Sequence, residues 1–120
     1  MQIKLDKNYE VKATLGTIRD IEKSFGKSFY EVAKSLGGMK VEEQIRLLFL
    51  GARKTNPDLN ETAFFELCEE YLGIGNLLEY IEKFFYALQY PGLSEDEIKE
   101  KIEKKLQRNQ TLQQAKDLIG

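Results

Sequence analysis

Few residues of this chain are equipped for chemistry, and the first to weigh are Gly26, Lys27 and Ser28. In a phosphate-binding P-loop these three types close a glycine-rich turn whose backbone amides cradle phosphates, with the lysine on the outer phosphates and the serine on magnesium. Such a loop also needs a glycine about five residues earlier, a buried strand before it and a single helix that begins at Lys-Ser. Position 21 is Ile, and the residues before Gly26 carry helical spacing. Gly26 is therefore read as a helix stop and Ser28 as the cap of the next helix.

Other chemistries fail on residue type or spacing. The chain has 0 His, which removes the usual general base and the commonest metal ligand, and leaves carboxylates or Lys to any enzymatic reading. Glu66, Glu69 and Glu70 offer paired carboxylates, but on a helical wheel they lie opposite Phe64, Leu67 and Tyr71, on a solvated face. The oxygen-rich stretch Asn56 to Glu61 resembles a calcium loop yet has Glu61 where an EF-hand needs glycine, so it reads as a turn and a helix cap. Gly73-Ile74-Gly75-Asn76 lacks the strand and third glycine of a dinucleotide fingerprint and reads as a helix connection. Cys68, the 1 cysteine, sits on an apolar stripe and behaves as a small buried hydrophobe. No catalytic, cofactor-binding or metal-binding residue is assigned.

Composition agrees with this quiet chemistry. The 120 residues suffice for one domain and a tail, and 18 basic against 20 acidic residues give a net charge of -2, too balanced to mark a nucleic-acid or membrane-surface binder. No signal peptide and no apolar run of about 18 residues is evident, so the expectation is a soluble, cytoplasmic protein.

The elements that position these residues follow from periodicity. Ile3, Leu5, Tyr9, Val11 and Ala13 alternate with charged residues, the period of half-buried strands. A three-residue loop, Asp6-Lys7-Asn8, would pair Leu5 with Tyr9 and Ile3 with Val11, with Asn8 in the left-handed region. Thr14 then caps a helix with Leu15, Ile18, Ile21 and Phe25 on its apolar side, and Ser28 with Glu31 forms a capping box for a short helix from Phe29 to Leu36 that stops at Gly37-Gly38. A third stripe runs through Val41, Ile45, Leu48, Phe49 and Ala52. A fourth helix, capped by Asn60, carries Phe64, Leu67, Cys68, Tyr71 and Leu72 and is closed by Gly73. The most aromatic stripe, Leu77, Leu78, Ile81, Phe84, Phe85 and Leu88, is expected at the centre of the core and ends at Tyr90-Pro91-Gly92.

The fold class is thus mainly α, a small N-terminal β-hairpin followed by five to six helices. Residues 1–93 form the hairpin-plus-helical domain, and residues 94–120 a C-terminal helical extension opened by a Ser94/Glu97 capping box. The extension is rich in Lys, Glu and Gln, its six acids and six bases cancel, and its thin stripe of Ile98, Ile102, Leu106 and Leu112 suits light docking or a partner.

The opening of the chain, a short strand pair followed by Leu15-Gly16-Thr17-Ile18-Arg19-Asp20-Ile21-Glu22-Lys23-Ser24-Phe25-Gly26, resembles that of tail assembly chaperones of long-tailed bacteriophages. In that family a hairpin leads into a helix of the form Leu-Gly-x-aliphatic-x-x-aliphatic-Glu-x-x-x-Gly and then into further helices. The resemblance covers residues 1–40 and nothing residue-specific beyond Gly26. It implies a non-enzymatic factor of a phage or prophage that binds the tape measure protein and recruits tail tube protein, without cofactor, nucleic acid or membrane, and with self-association as an option. The partner surface expected here is Ile98, Ile102, Leu106 and Leu112. The competing expectation is a small helix-turn-helix regulator that binds DNA, which the acidic balance disfavours.

Overall fold

The computed structural model describes residues 1–104, so Leu106 and Leu112 of the expected partner stripe lie outside the described residues. The chain is mainly helical, as expected. Strands β1 (Gln2–Lys4) and β2 (Asn8–Glu10) precede helices α1 (Leu15–Phe25), α2 (Phe29–Lys34), α3 (Val41–Ala52), α4 (Glu61–Tyr71) and α5 (Ile74–Gln89), with a 3-10 turn at Leu36–Gly38. A further helical segment covers residues 95–104.

The hairpin differs from the expected one in register but not in faces. Ile3, not Leu5, pairs with Tyr9, and Lys4 pairs with Asn8. The connection is still three residues long, but it is Leu5-Asp6-Lys7, and Asn8 lies within β2 rather than in the left-handed region, which among the described residues only Gly26 and Gly92 enter. A two-step change of register preserves the alternation, so Ile3, Leu5, Tyr9 and Val11 all still face inward. The observed register adds a pair at the other end: the Val11 amide donates to the Met1 carbonyl at 2.7 Å, and the Met1 nitrogen donates to the Val11 carbonyl at 3.1 Å. Leu5 leaves the ladder and drops its side chain into the core from the loop.

The helix ends follow the local chemistry. Thr14 caps α1 by accepting from the Thr17 amide, and Thr17 Oγ1 accepts from the Thr14 amide in return. Gly26 ends α1 at φ 65°. The Ser28 hydroxyl caps α2 by accepting from the Glu31 amide at 3.2 Å, while Glu22 of α1 reaches over to accept from the Phe29 amide at 3.0 Å. Between α4 and α5 the expected glycine stop is absent. Leu72 turns extended, and Gly73, at φ -85°, is already the N-cap of α5. The two helices are therefore joined by only these two residues.

The centre of the core falls on α3 rather than on the aromatic stripe of α5. Gln44, Ile45 and every residue from Leu47 to Ala52 are buried, because α1, α4, α5 and β2 all pack around this helix. From Leu47 to Ala52 α3 is apolar on all sides and belongs inside, whereas α5 keeps a polar flank with Glu79 and Glu82 exposed. Phe49 meets Phe64 of α4 with ring centroids 5.9 Å apart, and Phe85 of α5 stacks on Phe29 of α2 at 5.4 Å. Each such buried ring contributes about 1.5–3 kcal/mol. Leu15 departs from the expected stripe and is exposed; Thr17 takes the buried position beside Ile21.

Candidate functional site

The residues singled out for chemistry take structural roles in this fold. Lys27 lies between a helix stop and a helix cap, so the Gly-Lys-Ser stretch builds the α1–α2 corner and not a phosphate cradle. In the Asn56–Glu61 stretch the Asn56 amide and side-chain nitrogen both donate to the Ala52 carbonyl, at 3.1 and 2.9 Å, and Asn60 Oδ1 accepts from the Ala63 amide at 2.8 Å. It is a turn and a cap. Glu66, Glu69 and Glu70 are exposed along α4. Among the described residues no group of three or more His, Cys, Asp or Glu side chains is arranged to hold a metal ion. No helix among them is long and apolar enough to cross a membrane.

Cys68 is buried, and its burial pushes the thiol up to about 12. A group so far from ionisation is a poor nucleophile at neutral pH.

The expected partner stripe is only partly open in its described portion. Ile98 is 3% exposed, and Ile102 is half-buried. The segment is tied to the domain by the Gln2 amide, which donates to Glu95 Oε1 at 2.9 Å, and Lys101 lies over the Tyr90 ring at 4.7 Å. Its cap is the expected one, with Ser94 Oγ accepting from the Glu97 amide at 3.2 Å.

Open apolar surface gathers elsewhere, around the first turns of α3 and α5. Val41 is 45% exposed, Ile74 59% and Leu78 50%, and Ile74 and Leu78 are one helical turn apart. Exposed aliphatic residues set side by side are a common mark of a contact surface. Hollows open on both sides of this ridge. One, of about 320 Å³, lies between α3, α4 and the start of α5 and is lined by Val41, Ile45, Phe65, Cys68, Leu72 and Leu77. The other, of about 500 Å³, lies between α2, the 3-10 turn and α5, where Leu36, Leu78, Ile81 and Phe85 line it together with Gln44. Gln44 is buried; its Nε2 donates to the Met39 carbonyl at 3.1 Å, while its Oε1 has no partner among the described residues.

The first hollow continues along α3 and α4 into a polar stretch with which it shares Phe65 and Glu69. There Glu42, Glu61 and Glu66 face a single base, Arg46. Arg46 Nε donates to Glu61 Oε1 at 2.8 Å, and this bond, followed by the charges of Glu61, Glu42 and Glu43, holds the guanidinium pKa above its ordinary value. Together the two stretches form a trough with an apolar floor and an acidic rim.

Sequence reasoning identified most buried positions of the helices, with Leu15 and Tyr71 of the expected stripes exposed instead, but did not identify this face. Val41 and Leu78 look like core residues in a periodic pattern, and Ile74, read as part of a helix connection, is instead the first residue of α5; only the arrangement of neighbouring helices leaves the three uncovered. Comparison of the chain with protein-family models, with curated proteins and with solved structures finds no match in any of the three.

Proposed function

We propose that the chain is a non-enzymatic binding protein that holds an apolar helical segment of another protein, and that it serves as a phage tail assembly chaperone whose client is the tape measure protein and whose second partner is tail tube protein. The observation that carries the binding part is the open aliphatic face of Val41, Ile74 and Leu78 with a hollow on either side. A holder of helices needs apolar surface at helical spacing and a charged exterior to stay dissolved. The identity of the client rests on the resemblance of residues 1–40 to that family, including the hairpin, the Leu-Gly start of α1 and its Glu-x-x-x-Gly finish. The C-terminal stripe of Ile98, Ile102, Leu106 and Leu112 is the second proposed contact. The cytoplasm of a bacterial host is the compartment this function implies.

The test is co-purification with the tape measure protein after co-expression. The double variant Ile74→Asp with Leu78→Asp, at exposed positions, is expected to lose the client while keeping its helical circular dichroism. Ile102→Asp with Leu106→Asp reports separately on the C-terminal stripe; unchanged binding would remove that stripe from the contact. Failure of the wild-type chain to retain the tape measure protein would overturn the chaperone reading.

A further inference from the structure

We infer that the trough between α3, α4 and the start of α5 is the docking site for a basic amphipathic helix of a partner protein, with that helix's apolar side chains on the trough floor and its Lys or Arg side chains over the rim. This rests on the reading that the chain holds a helical client; it adds which surface does so and what the client segment must look like.

The floor and rim are laid down by two rows on one helix. Phe65, Cys68 and Leu72 follow one another along α4 and its end at a spacing of one turn, and supply the apolar side of the trough. Thr62, Glu66 and Glu69 follow in parallel, one step round the helix, and supply the acidic side. Across the trough α3 repeats the arrangement, with Val41 and Ile45 beside Glu42. Walls built from helices offer ridges and grooves to a third helix, and the exposed Ile74 and Val41 extend the floor to the open end.

Charge fixes the sign of the occupant. Arg46, the base on the rim, is already engaged by Glu61, so the carboxylates of Glu42, Glu66 and Glu69 leave the rim negative. A partner that brings Lys or Arg to these positions relieves their mutual repulsion, and one that brings Asp or Glu adds to it. The same sign disfavours the anionic surface of a membrane. The chain carries an amphipathic segment itself, but a charge-balanced one, with Ile98 and Ile102 among the bases Lys99, Lys101, Lys104, Lys105 and Arg108 and the acids Glu95, Asp96, Glu97, Glu100 and Glu103. Its Ile98 is covered in place, 3% exposed, so a foreign segment is the occupant favoured over the tail of a second copy.

The probe is a pair of labelled synthetic helical peptides with the same leucine stripe, one flanked by Lys and Arg, the other by Glu, titrated with the full-length protein and read by fluorescence anisotropy. The basic peptide is expected to bind at least about tenfold more tightly than the acidic one, and its advantage to shrink as salt is raised, since rim charges are screened within about 10 Å at 0.1 M. Glu66→Lys with Glu69→Lys, both exposed, is expected to reverse the preference, and Ile74→Asp to weaken both peptides. A melting curve like that of the wild type accompanies each variant. Equal binding of the two peptides, no binding of the basic one, or a preference that survives the charge reversal would overturn the inference. So would sedimentation of the unliganded wild type as a dimer that Ile74→Asp dissociates, because a second copy would then fill the trough. If the tape measure protein is retained equally by the wild type and by the charge-reversed variant, this site assignment falls and the chaperone reading stands. If it is retained by neither while the basic peptide binds and responds to charge reversal, the chaperone reading falls and the site stands.

Discussion

The backbone amide of Lys12 donates to the carbonyl of Gly51 at 3.0 Å, joining the strand segment after the hairpin to the last turn of the buried helix α3. The approach is so close that a Cβ at position 51 would lie 2.7 Å from the Lys12 carbonyl oxygen and 2.6 Å from Val11 Cγ1. That carbonyl is itself held in place, because Thr17 Oγ1 donates to it at 2.8 Å from α1. One residue, Lys12, thus binds the hairpin, α1 and α3 together through its amide and its carbonyl.

Gly51→Ala is expected to destabilise the protein by about 1–3 kcal/mol, although alanine is the better helix former by about 1 kcal/mol. The backbone of residues 11–12 would have to lift off α3, carrying the Val11 side chain with it. Urea unfolding of the two proteins side by side checks this; an unchanged or raised midpoint would refute the close-approach explanation.

Thr17→Val keeps the shape of a fully buried side chain but removes the hydroxyl that serves both the Lys12 carbonyl and the Thr14 amide. A loss of about 0.5–1.5 kcal/mol is expected, the net worth of part-buried hydrogen bonds whose partners are left to water. Hydrogen exchange should quicken first in the opening turn of α1.

Cys68 should be silent toward thiol reagents in the folded protein. With its pKa pushed up to about 12 by burial, the thiolate population at pH 8 is on the order of a thousandfold below that of a free cysteine. Slow labelling in buffer and rapid labelling in denaturant are the expected pair of results. Fast native labelling would mean that the hollow Cys68 lines opens far enough to expose its sulfur.

Asp20 links α1 to the chain just beyond α3, through Lys54 at 2.9 Å and Arg53 at 3.5 Å. The Lys54 hydrogen bond, above all, holds its pKa below the usual carboxylate value. A depressed folded-state pKa gives stability that is present above the unfolded value and lost as pH falls through the folded one. Asp20→Asn is therefore expected to cost up to about 1 kcal/mol at pH 7, with the gap to the wild type closing as pH falls from about 4 downward. Melting temperatures of both proteins across that range measure the closure; a constant gap would separate the ion pair from the effect.

Ile98 and Ile102 should behave differently on replacement by Asp. Ile98 is buried, so Ile98→Asp is expected to cost about 2 kcal/mol or more and to release residues 95–104, seen as faster hydrogen exchange there. At half-buried Ile102 the same change should cost less than half as much.

The amino-acid sequence by itself determined the order and type of the elements and most of their ends. Those depend on neighbours close in the chain: the period of apolar residues, the Thr14, Ser28, Asn60 and Ser94 caps, and the glycine at position 26 that accepts a left-handed backbone. It also determined the faces of the hairpin, because a two-residue change of register leaves alternation intact. What tertiary structure decided were matters of distance between elements: which register brings Val11 over Gly51, which helix lies at the centre, and which apolar residues stay uncovered. The uninterrupted apolar run from Leu47 to Ala52, with a glycine inside it, was the local sign that α3 would be surrounded and closely approached. No local sign separates Val41, Ile74 and Leu78 from true core residues. Periodicity states that a side chain sits on the apolar side of its helix, and only the packing of the helices around α3 and α5 leaves part of that side facing open hollows rather than a neighbour.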